Sequence, residues 1–196
     1  SYFTGEPVLR VIGRHVLPTL ELTVTALVIS TFFGTLFGVI AALKQYSIYD
    51  YGLSVASLFG VSVPTFFFAL VALYIFSATL EIMPTFGMYD IEKDYSIISN
   101  IHHLIMPAFV LSIDSMAGNT RYARTAMLEV MRSDYVTTAR SKGLSEFVVI
   151  GRHAFRNTLL PLITITTLRL PILLGGAFII EYMFTWPGMG RLGLDA

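Results

Sequence analysis

An all-helical, membrane-embedded bundle is the fold class that the sequence predicts, on three observations. Hydrophobic residues make up 55% of the 196 and charged residues 13%, about half the charged share of a soluble domain. Four stretches are apolar over the ~20 residues that a helix needs to cross a hydrocarbon core. The charges between them are segregated, basic in one connection and acidic in another.

The first span runs from about Leu17 to Leu43, and its only charge is Glu21, near one end. Gly34 and Gly38 form a G-x-x-x-G pair suited to close helix packing, with a binding role as the alternative. Lys44 to Tyr51 is a short turn. The second span, about Leu53 to Leu80, contains Gly60 and Ser62-Val63-Pro64. A proline there removes a backbone hydrogen bond and kinks the helix; such breaks line solute paths in transporters or serve packing alone. The next loop holds Glu81, Asp90, Glu92 and Asp94 against Lys93. His102-His103 reads as a solvated loop pair, since adjacent histidines hold one ion in poor geometry, and no metal site is expected. The third span starts near Leu104 and is apolar through Met116 except for Asp114. The fourth, about Leu159 to Phe184, carries Arg169, Pro171, Gly175 and Gly176. Asp114 and Arg169 each cost roughly 2.5–3.5 kcal/mol at a helix centre, so they should face protein or water. They line a path or pair with each other; alternatively, Asp114 caps a kinked segment and Arg169 snorkels to a partner. Thr164, Thr166 and Thr167 wet a channel wall or bond back to their own helix.

Seven basic residues lie from Arg121 to Arg156, opposed by Glu129, Asp134 and Glu146. The positive-inside rule places this loop in the cytoplasm and the acidic loop outside; Arg10 and Arg14, on the outer side, dissent. No linker, repeat or low-complexity tract divides residues 1–196, which read as one transmembrane domain with a cytoplasmic loop at about 121–158. The chain opens without Met or a leading apolar run and stops after a Gly-rich turn, as expected of the middle of a longer polypeptide.

Several function classes find no support. The 13 basic and 13 acidic residues cancel, so net charge suggests no nucleic acid. Without cysteine there is no disulfide or thiolate metal site. No phosphate-cradling Gly-x-x-x-x-Gly-Lys-Ser/Thr loop, His-Glu-x-x-His zinc helix or Gly-x-Ser-x-Gly elbow occurs. The chain is expected to be no enzyme, with no catalytic residue and no bound cofactor.

Ser133 to Asn157 predicts two short helices meeting at Gly143. Ser133 suits an N-cap with Asp134 in the first turn, and Gly143 suits a left-handed C-terminal position. Ser145 can cap a second helix, Glu146 to Phe155, with Phe147, Ile150 and Ala154 on one apolar face. By composition this basic hairpin is an interfacial element drawn to anionic lipid, so a membrane scaffold or lipid-binding protein is one reading.

The residue pattern points further. Asp134-Tyr135-Val136, Thr138-Ala139, Lys142-Gly143, Arg152-His153-Ala154, Arg156-Asn157 and Leu159-Leu160-Pro161 resemble the EAA loop of ABC-importer permeases. The likeness is to the first permease of the oligopeptide, dipeptide and nickel group. Ser62-Val63-Pro64-Thr65-Phe66, Met106-Pro107-Ala108, Arg121-Tyr122-Ala123-Arg124 and Glu181 to Leu192 (E-x-x-F-x-x-PG-x-G-x-L) resemble further runs of that family. Thr137 stands where sugar permeases carry the EAA glutamate, and His153, Phe155 and Arg156 replace the first-proline motif, which favours the peptide group.

The resemblance implies a type I importer permease bundle with four of six helices present, one more preceding the chain and one following. It implies half of a translocation pathway for peptides, with nickel or another small solute as the alternative cargo. The hairpin would be a coupling helix docking in a cleft of a separate ATPase, through Thr138, Ala139, Arg140, Lys142, Gly143, Leu144, Ser145 and Glu146. Ser62, Pro64, Asp114, Thr167 and Arg169 are the path candidates. Implied partners are a second permease as a heterodimer, two ATPase subunits carrying ATP and Mg, an extracytoplasmic binding protein meeting Glu81 to His103 and Thr185 to Ala196, and lipid. The implied location is a bacterial or archaeal plasma membrane.

Overall fold

The structure, a computed structural model, describes residues 7–89 and 96–195. The acidic residues Asp90, Glu92 and Asp94, with Lys93, lie outside the described residues. Among those described there is no strand. The helices are α1 (Val8–Leu43), α2 (Ile48–Ser62), α3 (Thr65–Ala72) and α4 (Ile97–Met131), then α5 (Asp134–Ser141), α6 (Glu146–Val148), α7 (Arg156–Leu168), α8 (Leu170–Met183) and α9 (Met189–Asp195). Two π-helical stretches, Leu73–Thr79 and Val149–Phe155, continue α3 and α6.

Helices α1 and α4 and the run Glu146–Gly175 are long and apolar enough to cross a membrane, and a fourth span exists if Ile48–Ser62 and Thr65–Thr79 count as one broken crossing. The protein is a multi-pass membrane protein. The helices outrun the apolar runs that predict them. At 1.5 Å per residue, the 36 residues of α1 and the 35 of α4 extend about 54 and 52 Å, well past a ~30 Å core. Helix α1 starts at Val8 because Pro7, whose fixed φ suits a helix start, accepts at its carbonyl from Arg10 N–H at 3.0 Å. His102 and His103 therefore belong to the first turns of α4 and not to a loop. His103 is buried with Nδ1 2.8 Å from the Ser99 carbonyl, and His102 Nε2 is 3.2 Å from the Ile82 carbonyl.

A proline breaks one predicted span. Pro64, at φ −59° and ψ 140°, separates α2 from α3 and heads α3, so the second span is two helices and not one kinked helix. Pro171 offers no N–H to the preceding turn. There α7 ends at Leu168, Arg169 N–H turns to the Thr166 carbonyl at 3.1 Å and α8 begins at Leu170, a one-residue interruption within a run, Glu146–Gly175, that is still long enough to cross. Pro18, Pro107 and Pro161 stay within helices.

The residues cluster into two compact units. The first comprises 1–28, 63–113 and 170–196. Its buried residues include Leu22 and Ala26 of α1, Ala69 of α3, Val110 of α4, Leu173, Ala177 and Ile180 of α8, and Trp186. The segment after α8 is tied to α1 by polar groups. Trp186 Nε1 donates to the Pro18 carbonyl at 2.9 Å, and Glu181, fully buried, accepts from Thr19 Oγ1 at 2.6 Å and from Gly190 N–H at 2.7 Å.

The second unit comprises 29–62 and 114–169. Here a Cβ on Gly34 would fall 2.6 Å from Asn119 Cβ and 2.8 Å from the Met116 carbonyl, and one on Gly38 2.5 Å from Ala123 Cβ. The G-x-x-x-G pair is where the backbone of α4 meets α1. Gly175, in the first unit, has open space around it and makes no such approach.

Candidate functional site

The second unit holds the hairpin and a polar cavity. Helix α5 ends at Ser141 with Lys142 as its C-cap, Gly143 N–H bonds the Arg140 carbonyl at 2.9 Å, and Gly143 takes φ +76°. No atom lies within 4 Å of where its Cβ would stand, so glycine is needed there for conformation, not for room within this chain. Arg140 closes the hairpin through Nε at 2.9 Å and Nη2 at 3.4 Å to the two carboxylate oxygens of Glu146.

The hairpin is seated by two small apolar clusters. Val136, Ala139 and Val149 pack together with Val130, and Ala154 packs on Ala42 and Met127 with Ile150 beside them. The expected face of Phe147, Ile150 and Ala154 is corrected: Phe147 is 87% exposed, and Val149 takes the inward place. The π-helical turn is the reason. With bonds reaching five residues back, residues 149 and 154 come to one side, and the α-helical register linking Phe147 to Ala154 is lost. Ser133 and Ser145 occupy N-cap positions but make no side-chain cap bond; Ser133 Oγ donates to the Val130 carbonyl at 2.6 Å instead. Thr138, Arg140, Lys142, Gly143, Leu144, Ser145 and Glu146 form one exposed edge, whereas Ala139 faces inward.

Asp50 and Arg124, unremarked as a pair in the sequence, anchor the neighbouring turn. Arg124 Nε and Nη2 lie 2.6 and 2.8 Å from Asp50 Oδ1 and Oδ2, and Tyr46 N–H adds a bond at 2.9 Å. Tyr46 adopts φ +65° to make that turn. The signal available was an aspartate opening an apolar helix, opposite the second arginine of Arg121-x-x-Arg124.

Of the path candidates, the structure joins Asp114 and Arg169, with Arg169 Nη1 3.3 Å from Asp114 Oδ2. Ser62 and Thr167 bond to the carbonyls of Leu58 and Ile163 in their own helices, Thr164 likewise to Leu160, and Pro64 is exposed at the head of α3. The guanidinium of Arg169 occupies the space a Cβ on Gly118 would need. It walls a cavity of about 250 Å³ that is lined also by Val61, Gly118, Arg121, Tyr122 and Thr125.

Residues 34–196 match the family described as binding-protein-dependent transport system inner membrane component. The chain belongs to that family. Among relatives of this inner membrane component, the oligopeptide transport system permease protein AppB of Bacillus subtilis is 41% identical over 98% of this chain and 61% of its own length. The di/tripeptide transport system permease protein DppB of Pseudomonas aeruginosa is 42% identical over 91% of this chain and 58% of its own. The chain thus spans about three fifths of the curated relatives it matches. A solved chain of the MetNI methionine ABC transporter in an inward-facing conformation shares the fold, at TM-score 0.71 and 17% identity over 98% of this chain and 82% of that one.

Proposed function

We propose that this chain is a membrane permease subunit of an ATP-binding-cassette importer and forms half of a translocation pathway for peptides. The exposed hairpin with its left-handed Gly143 carries the reading: it is a rigid, basic edge held to α4 by apolar clusters, suited to receive another protein's movement. The names of relatives that are 41–42% identical, an oligopeptide and a di/tripeptide permease, support peptides as cargo. Residues 121–158 then face the cytoplasm of a bacterial or archaeal cell. The hairpin contacts one of two ATPase subunits, which hold ATP and Mg; this chain binds no cofactor and catalyses no hydrolysis. A second permease completes the pathway as a heterodimer, and an extracytoplasmic binding protein delivers solute.

In this mechanism closure of the ATPases pushes Thr138 to Glu146. Val136, Ala139 and Val149 transmit the push to Val130 of α4, and Ala154 transmits it to Met127 and Ala42. The Asp50–Arg124 fork fixes the turn between α1 and α2 to the same stretch of α4, so these elements move as one body. Ser62, Asp114, Thr167 and Arg169, all of the second unit, and Pro64 at the head of α3 are the path residues.

The test is the assembled importer in proteoliposomes. Gly143→Pro cannot adopt φ +76° and should abolish ATPase co-purification and ATP-linked peptide uptake, whereas Gly143→Asn, which tolerates left-handed geometry, should retain both. Full uptake after deletion of residues 138–146 would overturn the reading.

A further inference from the structure

We propose that the cavity between Arg121 and Arg169 is a carboxylate subsite that receives the C-terminal end of the peptide during passage. The inference rests on the peptide-import reading and adds the site and the group recognised.

Asp114, Gly118, Arg121, Tyr122 and Thr125 are spaced by four, three, one and three residues, so they form one face of α4. Gly118, Arg121, Tyr122 and Thr125 of that face line the cavity, with Arg169 across from them. The cavity's two guanidiniums differ in state. Arg169 is held by Asp114 at 3.3 Å and lies over Gly118, whose missing Cβ makes room for it. Arg121 also lines the cavity, and among the described residues no carboxylate pairs with it. Two positive groups against one carboxylate leave the site one unit positive, which fits a single anionic group. A carboxylate matches the planar guanidinium fork with two parallel bonds. At about 250 Å³ the cavity is below the range of pockets that enclose a whole ligand, so it suits one end of a peptide.

The experiment uses the full importer in proteoliposomes with its binding protein at saturation, and compares one transported peptide with its C-terminal amide. The readout is the uptake ratio of free acid to amide in each permease variant relative to wild type. The binding protein is common to all, so its own preference cancels. Loss of one charge-assisted bond pair should lower that relative ratio about tenfold or more in Arg121→Gln. Arg121→Glu should drive it lower still, toward preference for the amide, and Arg121→Lys, which keeps the charge but loses the two-bond fork, should fall between wild type and Arg121→Gln. Assembly is checked by co-purification of the ATPases. A ratio unmoved in both the Gln and Glu variants, with uptake running, overturns the subsite and leaves the peptide reading intact. A wild-type complex that imports neither form overturns the peptide reading and this assignment with it.

Discussion

Replacing Arg124 by glutamine should cost about 3 kcal/mol of stability, and replacing its partner Asp50 by asparagine distinctly less. The asymmetry comes from burial. The Asp50 side chain is 3% exposed and that of Arg124 28%, so only the guanidinium can reach water when the pair is broken. Removing one partner of a buried pair costs about 3–5 kcal/mol because it strands the other charge. Asp50 would keep Tyr46 N–H at 2.9 Å and Ser54 Oγ at 3.5 Å, which sets Arg124→Gln at the low end, roughly two orders of magnitude in the folding equilibrium. Asp50→Asn loses charge-assisted bonds but strands nothing, about 1–1.5 kcal/mol. The Arg140–Glu146 fork has similar geometry but is 38% and 61% exposed, so Glu146→Gln should fall below about 1 kcal/mol. Reversible unfolding of the purified protein in mixed micelles, followed by far-ultraviolet circular dichroism, measures all three. An Asp50→Asn loss as large as that of Arg124→Gln, or an Arg124→Gln loss within about 0.5 kcal/mol of wild type, would refute the reasoning.

Reversal of either charge in the Asp114–Arg169 pair should abolish uptake by the assembled importer, and Asp114→Arg combined with Arg169→Asp should restore a measurable part of it; no recovery in an assembled double variant counts against direct pairing. Gly38→Ala sets a methyl 2.5 Å from Ala123 Cβ and 2.6 Å from the Thr120 carbonyl, an overpacking that should cost about 1–3 kcal/mol. Gly175→Ala, with open space around it, should instead gain up to about 1 kcal/mol of helix propensity. The same micelle unfolding measures both, and equal effects would contradict the close approach of α4 to Gly38.

The membrane class, the turn at Gly143 and the pairing option for Asp114 and Arg169 were legible because each depends on local chemistry: apolar length, a residue tolerant of positive φ, an ionisable group in an apolar run. Helix ends were less legible. Hydropathy stops where a helix leaves the bilayer, but hydrogen bonding does not, so α4 continues through Arg121 and Arg124 to Met131. The inward face of the hairpin was misread because an α-helical period was applied to residues 149–155, which wind as a π-helix. The Asp50–Arg124 fork escaped notice because its partners stand 74 residues apart, and nothing local to either announces the other.

Lipid chains are as apolar as leucine, so in a membrane the apolar residues say little about which helix meets which. Phe32, on α1, is 62% exposed and Leu22, on the same helix, is fully buried, although both suit either place. Polar groups carry the specification instead, since each must find a partner. Glu181 is the clearest case. One carboxylate oxygen accepts from Thr19, and the other from the N–H groups of Gly190 and Arg191 at 2.7 and 3.4 Å. Thr19 in turn accepts from Met189 N–H at 2.8 Å. A Cβ on Gly188 would collide with that carboxylate, and one on Gly190 would fall 2.5 Å from Phe178 Cα. The glutamate and the two glycines of the Glu181 to Leu192 run are therefore one requirement: a buried carboxyl group whose oxygens must be met by Thr19 and backbone N–H groups, and a backbone that must be bare to come close enough.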